Sequence, residues 1–299
     1  MTPPIRRAAA AALLLLALLT APLRAEDART SDTLRIVSLA PNLTEALFEI
    51  GAGPQLVGVT DYCRWPEEAA RLPRLGGHLN PAFERMVALR PDLAVGVPSG
   101  RDLETRLGAA GVPTLAIESL TLEDIREGLA ELGRRLGRER EAEAAIARFD
   151  AALDKLRAPR AGDAPRVLLV LGRPPGAVRD VFSVGPGTFL HEVIETLGHR
   201  NYLDGAPALY PTVSKESLVI DPPEFVIELR EGIEALDGAE REELRRDWAK
   251  ALGPRAKGRT RVQFIDDAHL SIPGPGVVSS MERLRALLAR DDGFATAER

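Results

Sequence analysis

The chain has 299 residues, a formal charge of −5 and one cysteine, Cys63. The negative charge argues against nucleic acid or an anionic membrane surface as partner, and a lone cysteine excludes an internal disulfide. Hydrophobic residues make up 45% of the chain, enough for packed cores, but aromatics only 4%, so the position of each ring is informative.

Residues 1–25 read as a secretory leader. Arg6 and Arg7 open it, Ala8 to Ala21 is an apolar run too short to span a bilayer, and Leu23-Arg24-Ala25 suits cleavage. No cysteine stands directly after that point, so a lipid anchor is not expected, and no later run is long and apolar enough to cross a membrane. The roughly 270 residues that remain suit two domains of ordinary size, exported to the periplasm in soluble form.

Thr33 to Leu39 is strand-like, and Pro41-Asn42-Leu43-Thr44-Glu45 predicts a capping box with Asn42 as N-cap and Glu45 reaching back. Leu43, Ala46, Leu47 and Ile50 continue at helical spacing until Gly51. Leu56 to Thr60 is a second strand. Asn80-Pro81 starts a helix that Pro91 ends, and Leu93 to Val97 is a third strand. Arg101 to Ala110 is helical, and Thr114 to Ile117 is a fourth strand. Strands that alternate with helices predict a mostly parallel sheet covered on both faces.

Thr121 to Leu136 carries an apolar stripe, and Arg138 to Ala158 is rich in Ala, Glu and Arg. A helix of about 20 residues reaches roughly 30 Å, enough to cross between two lobes. After the polar break at 158–165 the alternation resumes with Arg166 to Leu171, and ends with strand Arg261 to Ile265 and helix Met281 to Ala289. The expectation is an α/β chain: leader 1–25, N-terminal lobe 32–137, linker helix 138–160, C-terminal lobe 161–292 and loose tail 293–299.

One helix-to-strand phrase occurs twice without a gap, AFERMVALRPDLAV from Ala82 and SKESLVIDPPEFVI from Ser214. Each copy has a Glu in its opening turn (Glu84, Glu216), an apolar pair, a proline, an acid (Asp92, Glu224) and a β-rich end. A duplicated unit predicts two similar lobes with a cleft between them.

Five phrases in order carry a resemblance over essentially the whole mature chain. They are IVSLAPNLTEALFEIGAGPQLVGV, GGHLNPAFERMVALRPDLAV, FSVGPGTFLHEVIETLGHRNY, YPTVSKESLVIDPPEFVI and VQFIDDAHLSIPGPGVV. They resemble the periplasmic substrate-binding proteins of ABC importers for cobalamin, haem and ferric siderophores. The resemblance implies two α/β lobes with mostly parallel sheets, joined by one long rigid helix. Within the family, DYCRWP (Asp61 to Pro66) is most similar to the cobalamin-binding branch.

In open α/β folds ligands sit outside the carboxyl ends of the strands. The loops there are Ala40 to Asn42, Asp61 to Trp65, Pro98 to Arg101, Phe182 to Gly187 and Asp266 to Ser271, joined by the approaches Gly76 to Asn80 and Leu209 to Thr212. A planar macrocycle wants flat aromatic walls and a few polar groups at its rim. The candidate ligand contacts are therefore Pro41, Asn42, Tyr62, Trp65, His78, Ser99, Phe182, Tyr210, Asp267 and His269. By family motif position Tyr62, His78, Phe182 and Tyr210 match ligand contacts, and Asp267 matches within one residue. His78 stands where cobalamin proteins often carry an aromatic, which keeps haem or another metal chelate open. His191 and His199 read as surface residues, and Cys63 as a quiet thiol.

The resemblance further implies that Glu84 and Glu216 each meet an arginine on one subunit of a permease dimer in the inner membrane. It implies no cofactor of the chain's own; the carried ligand is a cobalt or iron chelate, and the receptor a monomer. A free-metal receptor for Zn or Mn would need convergence of His78, His269, Asp266 and Asp267, without a close-spaced motif. An enzyme is the rival class, but the chain has no G-x-S-x-G elbow, H-E-x-x-H or P-loop.

Overall fold

The computed structural model describes residues 33–77, 82–98, 101–174 and 176–289, the side chain of Arg101 excepted. The leader, the tail, the helix start at Asn80-Pro81, and the candidate contacts His78 and Ser99 lie outside the described residues.

The first lobe alternates β1 (Ile36–Ser38), α1 (Pro41–Glu49), β2 (Leu56–Val59), α2 (Phe83–Ala88), β3 (Leu93–Gly96), α3 (Arg101–Ala109) and β4 (Thr114–Ala116). Its four strands are parallel, in the order β2-β1-β3-β4. β1 is buried throughout, as an apolar strand covered on both faces must be. The predicted capping box at Asn42 does not form. Pro41 takes the first turn, Ala40 is the N-cap, and its side chain makes no cap bond. The Ala40 carbonyl instead accepts both the Thr44 amide, at 3.0 Å, and the Thr44 hydroxyl, at 3.1 Å. Asn42 and Glu45 are thereby turned inward and buried.

Next come α4 (Leu122–Leu136) and α5 (Glu139–Leu156). Thr121 and Asp124 form a reciprocal capping box at the start of α4. Gly137 then takes a left-handed conformation, φ 63°, that ends α4 and lets α5 begin after one further residue. α5 runs 18 residues without a break, slightly inside the expected ends, a reach of about 27 Å.

The second lobe contains β5 (Arg166–Gly172), β6 (Val181–Ser183), α6 (Phe189–Thr196), β7 (Arg200–Asn201), β8 (Thr212–Val213), α7 (Lys215–Ile220), β9 (Phe225–Leu229), α8 (Gly238–Leu252), β10 (Arg261–Ile265) and α9 (Val277–Leu288). The sheet order is β10-β9-β5-β6-β8, with β7 also beside β5. β7 and β9 run parallel to β5 and β10 parallel to β9, whereas β6 is antiparallel to both its neighbours, β5 and β8, so this sheet is mixed. The cause is the short link from β5 to β6: with no crossover helix, the next strand must return antiparallel. α9 starts four residues before the expected Met281. Its buried stripe Val277, Met281, Leu284 and Leu288 begins at once after Gly276.

The duplicated phrase folds as a duplicated unit. α2 and α7 each have 6 residues, and the same four-residue link leads to β3 and β9. Met86 and Leu218, matched in the phrase, are both fully buried. The acid after the proline has one job in both copies. Asp92 accepts the Arg35 amide at 2.8 Å, and Glu224 accepts the Arg166 amide at 2.9 Å. Each acid thus caps the free first amide of the neighbouring parallel strand.

The second core gathers Leu168, Val170, Val226 and Val262 around fully buried Trp248. One ion pair is sealed into it. Arg173 Nε lies 3.1 Å from both oxygens of Glu228, and the side chains are 2% and 3% exposed. Trp248 Nε1 donates to Glu228 Oε2 at 2.7 Å.

Candidate functional site

The DYCRWP loop follows β2 and is fixed from beneath. Arg74 Nη1 donates to the carbonyls of Thr60, at 2.9 Å, and Cys63, at 2.8 Å, while Nη2 donates to Ala70. Cys63 is buried, its Sγ 3.1 Å from Thr60 Oγ1. With its backbone pinned, the loop turns Tyr62 and Trp65 outward, 57% and 54% exposed. Arg74 was not among the expected site residues, because a single arginine in a loop gives no sequence pattern.

A second aromatic patch forms on the other lobe. Phe182 is the outward residue of β6, and its ring stacks on Tyr210 at 5.9 Å and 28°. The loop after β6 lies against the segment before β8, with the Gly185 amide donating to Leu209 at 2.7 Å. A Cβ at Gly185 would stand 2.2 Å from the Ala208 carbonyl oxygen, so only glycine permits this approach. Phe182 and Tyr210 stay 43% and 38% exposed beside exposed Leu209. Partial burial raises the Tyr210 hydroxyl above its ordinary value and keeps it a neutral donor.

The lobes touch directly. The Phe189 amide donates to the Leu120 carbonyl, and the Leu122 amide to Glu192 at 2.6 Å. Trp65 approaches His269 edge-on, ring centres 5.1 Å apart. His269 Nε2 lies 3.0 Å from Glu45 Oε1, and this contact lifts His269 above its ordinary value against the opposing effect of burial. His269 Nε2 thus faces a protein carboxylate.

The polar candidates are turned inward. Asn42 is buried and its amide donates to Ser119 Oγ at 2.7 Å. Asp267 accepts the His269 amide at 3.1 Å and pairs with Arg283 at 3.3 Å. Pro41 is half-buried at the start of α1. Glu84 and Glu216 are both exposed, in the first turns of α2 and α7. Helix-end backbone and Ser214 hydrogen bonds hold the Glu216 carboxyl below its ordinary value, hence charged.

Among the described residues the trio able to converge on a cation is His191, Glu195 and Asp204, not His269, Asp266 and Asp267. His191 is buried, contrary to expectation, because α6 turns it toward Asn201. The Asn201 amide is fixed: its oxygen accepts the Leu203 amide at 3.1 Å, and its nitrogen donates to the Val184 carbonyl at 3.0 Å. That nitrogen therefore also donates to His191 Nδ1, 3.2 Å away. The ring proton then sits on Nε2, which points at Glu195 and Asp204. A donor stands where a metal would need a lone pair, with Glu195 3.6 Å and Asp204 4.0 Å from it. A cavity of about 370 Å³ lies away from the aromatic loops, between Ile233, Arg241, Phe264 and Leu287.

Comparison with known proteins agrees with this architecture. The periplasmic binding protein family matches residues 36–265, across both sheets. The vitamin B12-binding protein of Salmonella typhimurium is 30% identical over 196 residues, 64% of this chain and 71% of that protein. That of Pectobacterium carotovorum is 29% identical over 199 residues, 64% and 70% respectively. Among solved structures, a periplasmic haem-binding protein from Pseudomonas aeruginosa is 27% identical with a TM-score of 0.69, covering 85% of this chain and 92% of that one. The periplasmic haem-binding protein HutB of Vibrio cholerae, 23% identical with a TM-score of 0.72, covers 86% and 100% and shares the fold. With two helix-covered sheets, the helices α4 and α5 in the chain between them and a family match spanning both, this chain belongs to the periplasmic binding protein family.

Proposed function

We propose that this chain is the periplasmic receptor of an ABC importer, and that it captures a metal-containing macrocyclic chelate between its lobes, a cobalamin or related corrinoid first. The observation that carries the reading is the placement of the exposed rings. Among the described residues the large exposed hydrophobics are Tyr62, Trp65, Leu120, Phe182, Leu209, Tyr210 and Ile220. All but Ile220 lie at or beside the loops that follow strands. Monomeric soluble proteins rarely expose large apolar patches, and those that do commonly use them for binding. Flat rings from two lobes suit a rigid, planar, largely apolar ligand. Corrinoid leads because the curated relatives are vitamin B12-binding proteins.

In this reading the leader is residues 1–25, the lobes 32–137 and 161–292, and the connecting helix 138–160. Pro41, Asn42, His78 and Ser99 are further ligand contacts in this reading. The receptor works as a monomer without a cofactor and performs no covalent chemistry. It presents Glu84 and Glu216, one to each subunit of an inner-membrane permease. Both carboxylates stand exposed at matching corners of the repeat, which favours docking over a ligand role. A haem receptor is the second reading, favoured by the likeness to haem-binding structures.

The test is to mix purified protein with cyanocobalamin, haemin or a ferric siderophore, desalt, and record the absorbance spectrum. Retained corrinoid bands are expected. Retention of the haem band alone would transfer the assignment to haem, and retention of no chelate would overturn the reading.

A further inference from the structure

Glu45 is a carboxylate only 4% exposed, on a helix of the first lobe. Its polar partners come from the other lobe. The Gly276 amide donates to its Oε2 at 3.2 Å, and His269 Nε2 stands 3.0 Å from its Oε1. The latter contact is close but not aligned as a hydrogen bond, so it is held by charge. A Cβ at Gly274 would lie 2.7 Å from Glu45 Oε2 and 3.1 Å from the Asn42 Cα, so the 274–276 segment rests directly on α1. The other side of His269 meets Trp65, with the rings perpendicular and 5.1 Å apart. Glu45, His269 and Trp65 thus form a chain across the lobe junction, and its last member is one of the exposed rings.

We propose that Glu45 is a positioning residue for the cleft: its buried carboxylate fixes His269 and, through His269, the Trp65 ring that the first lobe offers to the ligand. The assignment of Trp65 to a ligand wall rests on the function proposed above; the chain Glu45–His269–Trp65 does not. The charged groups around His269 are Glu45 from α1, Asp267 from its own turn and Arg283 from α9. Two carboxylates against one guanidinium favour imidazolium, and the Glu45 contact contributes most. When His269 is charged, its perpendicular contact with Trp65 is one between an imidazolium and an indole, and the energy of that contact changes with the charge. Loss of the charge therefore removes the hold of Glu45 on His269 and alters the contact of His269 with Trp65.

The experiment uses the full chain without ligand and reads tryptophan fluorescence against pH. The chain has two tryptophans, and Trp248 is fully buried beside Glu228, away from this junction. A charged imidazole quenches indole emission more than a neutral one. Wild-type emission should rise as pH passes through the raised value of His269. Trp65→Phe and His269→Gln should abolish the step. Glu45→Gln, which keeps an acceptor for Gly276, should shift it downward toward the ordinary histidine range. A flat wild-type profile, or a step that Glu45→Gln leaves in place, would overturn the proposal. Should Glu45→Gln fail to fold, Glu45→Asp, which keeps the charge but shortens its reach to His269, should move the step in the same direction, and a step it leaves in place would overturn the proposal. Titration with cyanocobalamin and haemin is the separate arm. Glu45→Gln should weaken whichever binds by about tenfold, within the range for contacting, coupled residues. Failure of both probes to bind wild-type protein would count against the ligand reading alone, since the fluorescence arm decides the positioning role independently.

Discussion

Glu228→Gln should destabilise the second lobe by about 3–5 kcal/mol, the usual cost of breaking a buried ion pair from one side. The substitution keeps shape and removes charge. Of the groups around Glu228, Arg230 can turn to water, because its side chain is 36% exposed. Arg173 cannot: it is 2% exposed, its Nη1 reaches only the Ala177 carbonyl, and its Nη2 has no partner. The new amide would also set a donor against either Arg173 Nε–H or Trp248 Nε1–H. The cost is therefore an unmatched buried guanidinium plus a damaged indole bond. Domains are stable by only about 5–15 kcal/mol, so much of the margin would go. Urea unfolding followed by Trp248 emission measures it. With a slope of about 2 kcal/mol per molar, the midpoint should fall by about 2 M. Arg173→Met with Glu228→Leu should cost less than Glu228→Gln alone, because it leaves no orphan charge. A cost below about 1 kcal/mol for Glu228→Gln, the range of exposed pairs, would refute the reasoning.

Tyr62→Ala and Tyr210→Ala should each weaken chelate binding by about 1–3 kcal/mol, as for an aromatic anchor, with melting temperature unchanged; unaltered calorimetric titrations in both would contradict this. Binding should close the lobes little, because an unbroken helix absorbs far less dihedral change than loop hinges; solution scattering that contracts markedly with ligand would oppose it. Replacing Glu84 and Glu216 with Lys should spare ligand affinity and lower stimulation of the transporter's ATPase, most in the double variant, with high salt mimicking the loss; normal stimulation in the double variant would remove their docking role. By NMR, His269 should titrate above the ordinary 6.5, held by Glu45, and His199 below it, through burial. The His269 contribution to stability is full below 6.5 and fades as pH rises through the raised folded value. The His199 contribution is full above 6.5 and fades as pH falls through the lowered one. Equal titration of both histidines would contradict these environments.

Local signals in the sequence carried much of the fold. Alternating apolar runs and breakers placed the strands of the first sheet within one residue, apart from the start of β1, which comes three residues later than expected, and Gly137 marked the passage from α4 to α5. The errors came where a tertiary partner outbid a local one. Asn42-x-x-Glu45 has the spacing of a capping box, yet Ser119 takes Asn42, and His269 with Gly276 takes Glu45. His191 looked like a surface residue because Asn201, its partner, lies on a two-residue strand too short to leave a pattern. The reversed strand β6 followed from a missing crossover helix, which no propensity reports. At the site, the aromatic positions were legible because rings are scarce in this chain. Arg74, which pins the loop beneath two of them, and Glu45, which reaches across 224 residues of sequence to His269, were not.

The duplicated unit carries a consequence for how this chain tolerates change. The acid after the proline must return to the first amide of the adjacent strand, Asp92 to Arg35 and Glu224 to Arg166. What the two copies preserve is therefore a length. Most residues of the link can vary, but a residue inserted between Ile220 and Phe225 would carry Glu224 out of reach and turn β9 over, exchanging its two faces. Insertions should be accepted in loops such as 157–165 and rejected in these two links, although both are surface connections. An insertion scan would then recover the two units as paired gaps, at the same interval as the repeated phrase.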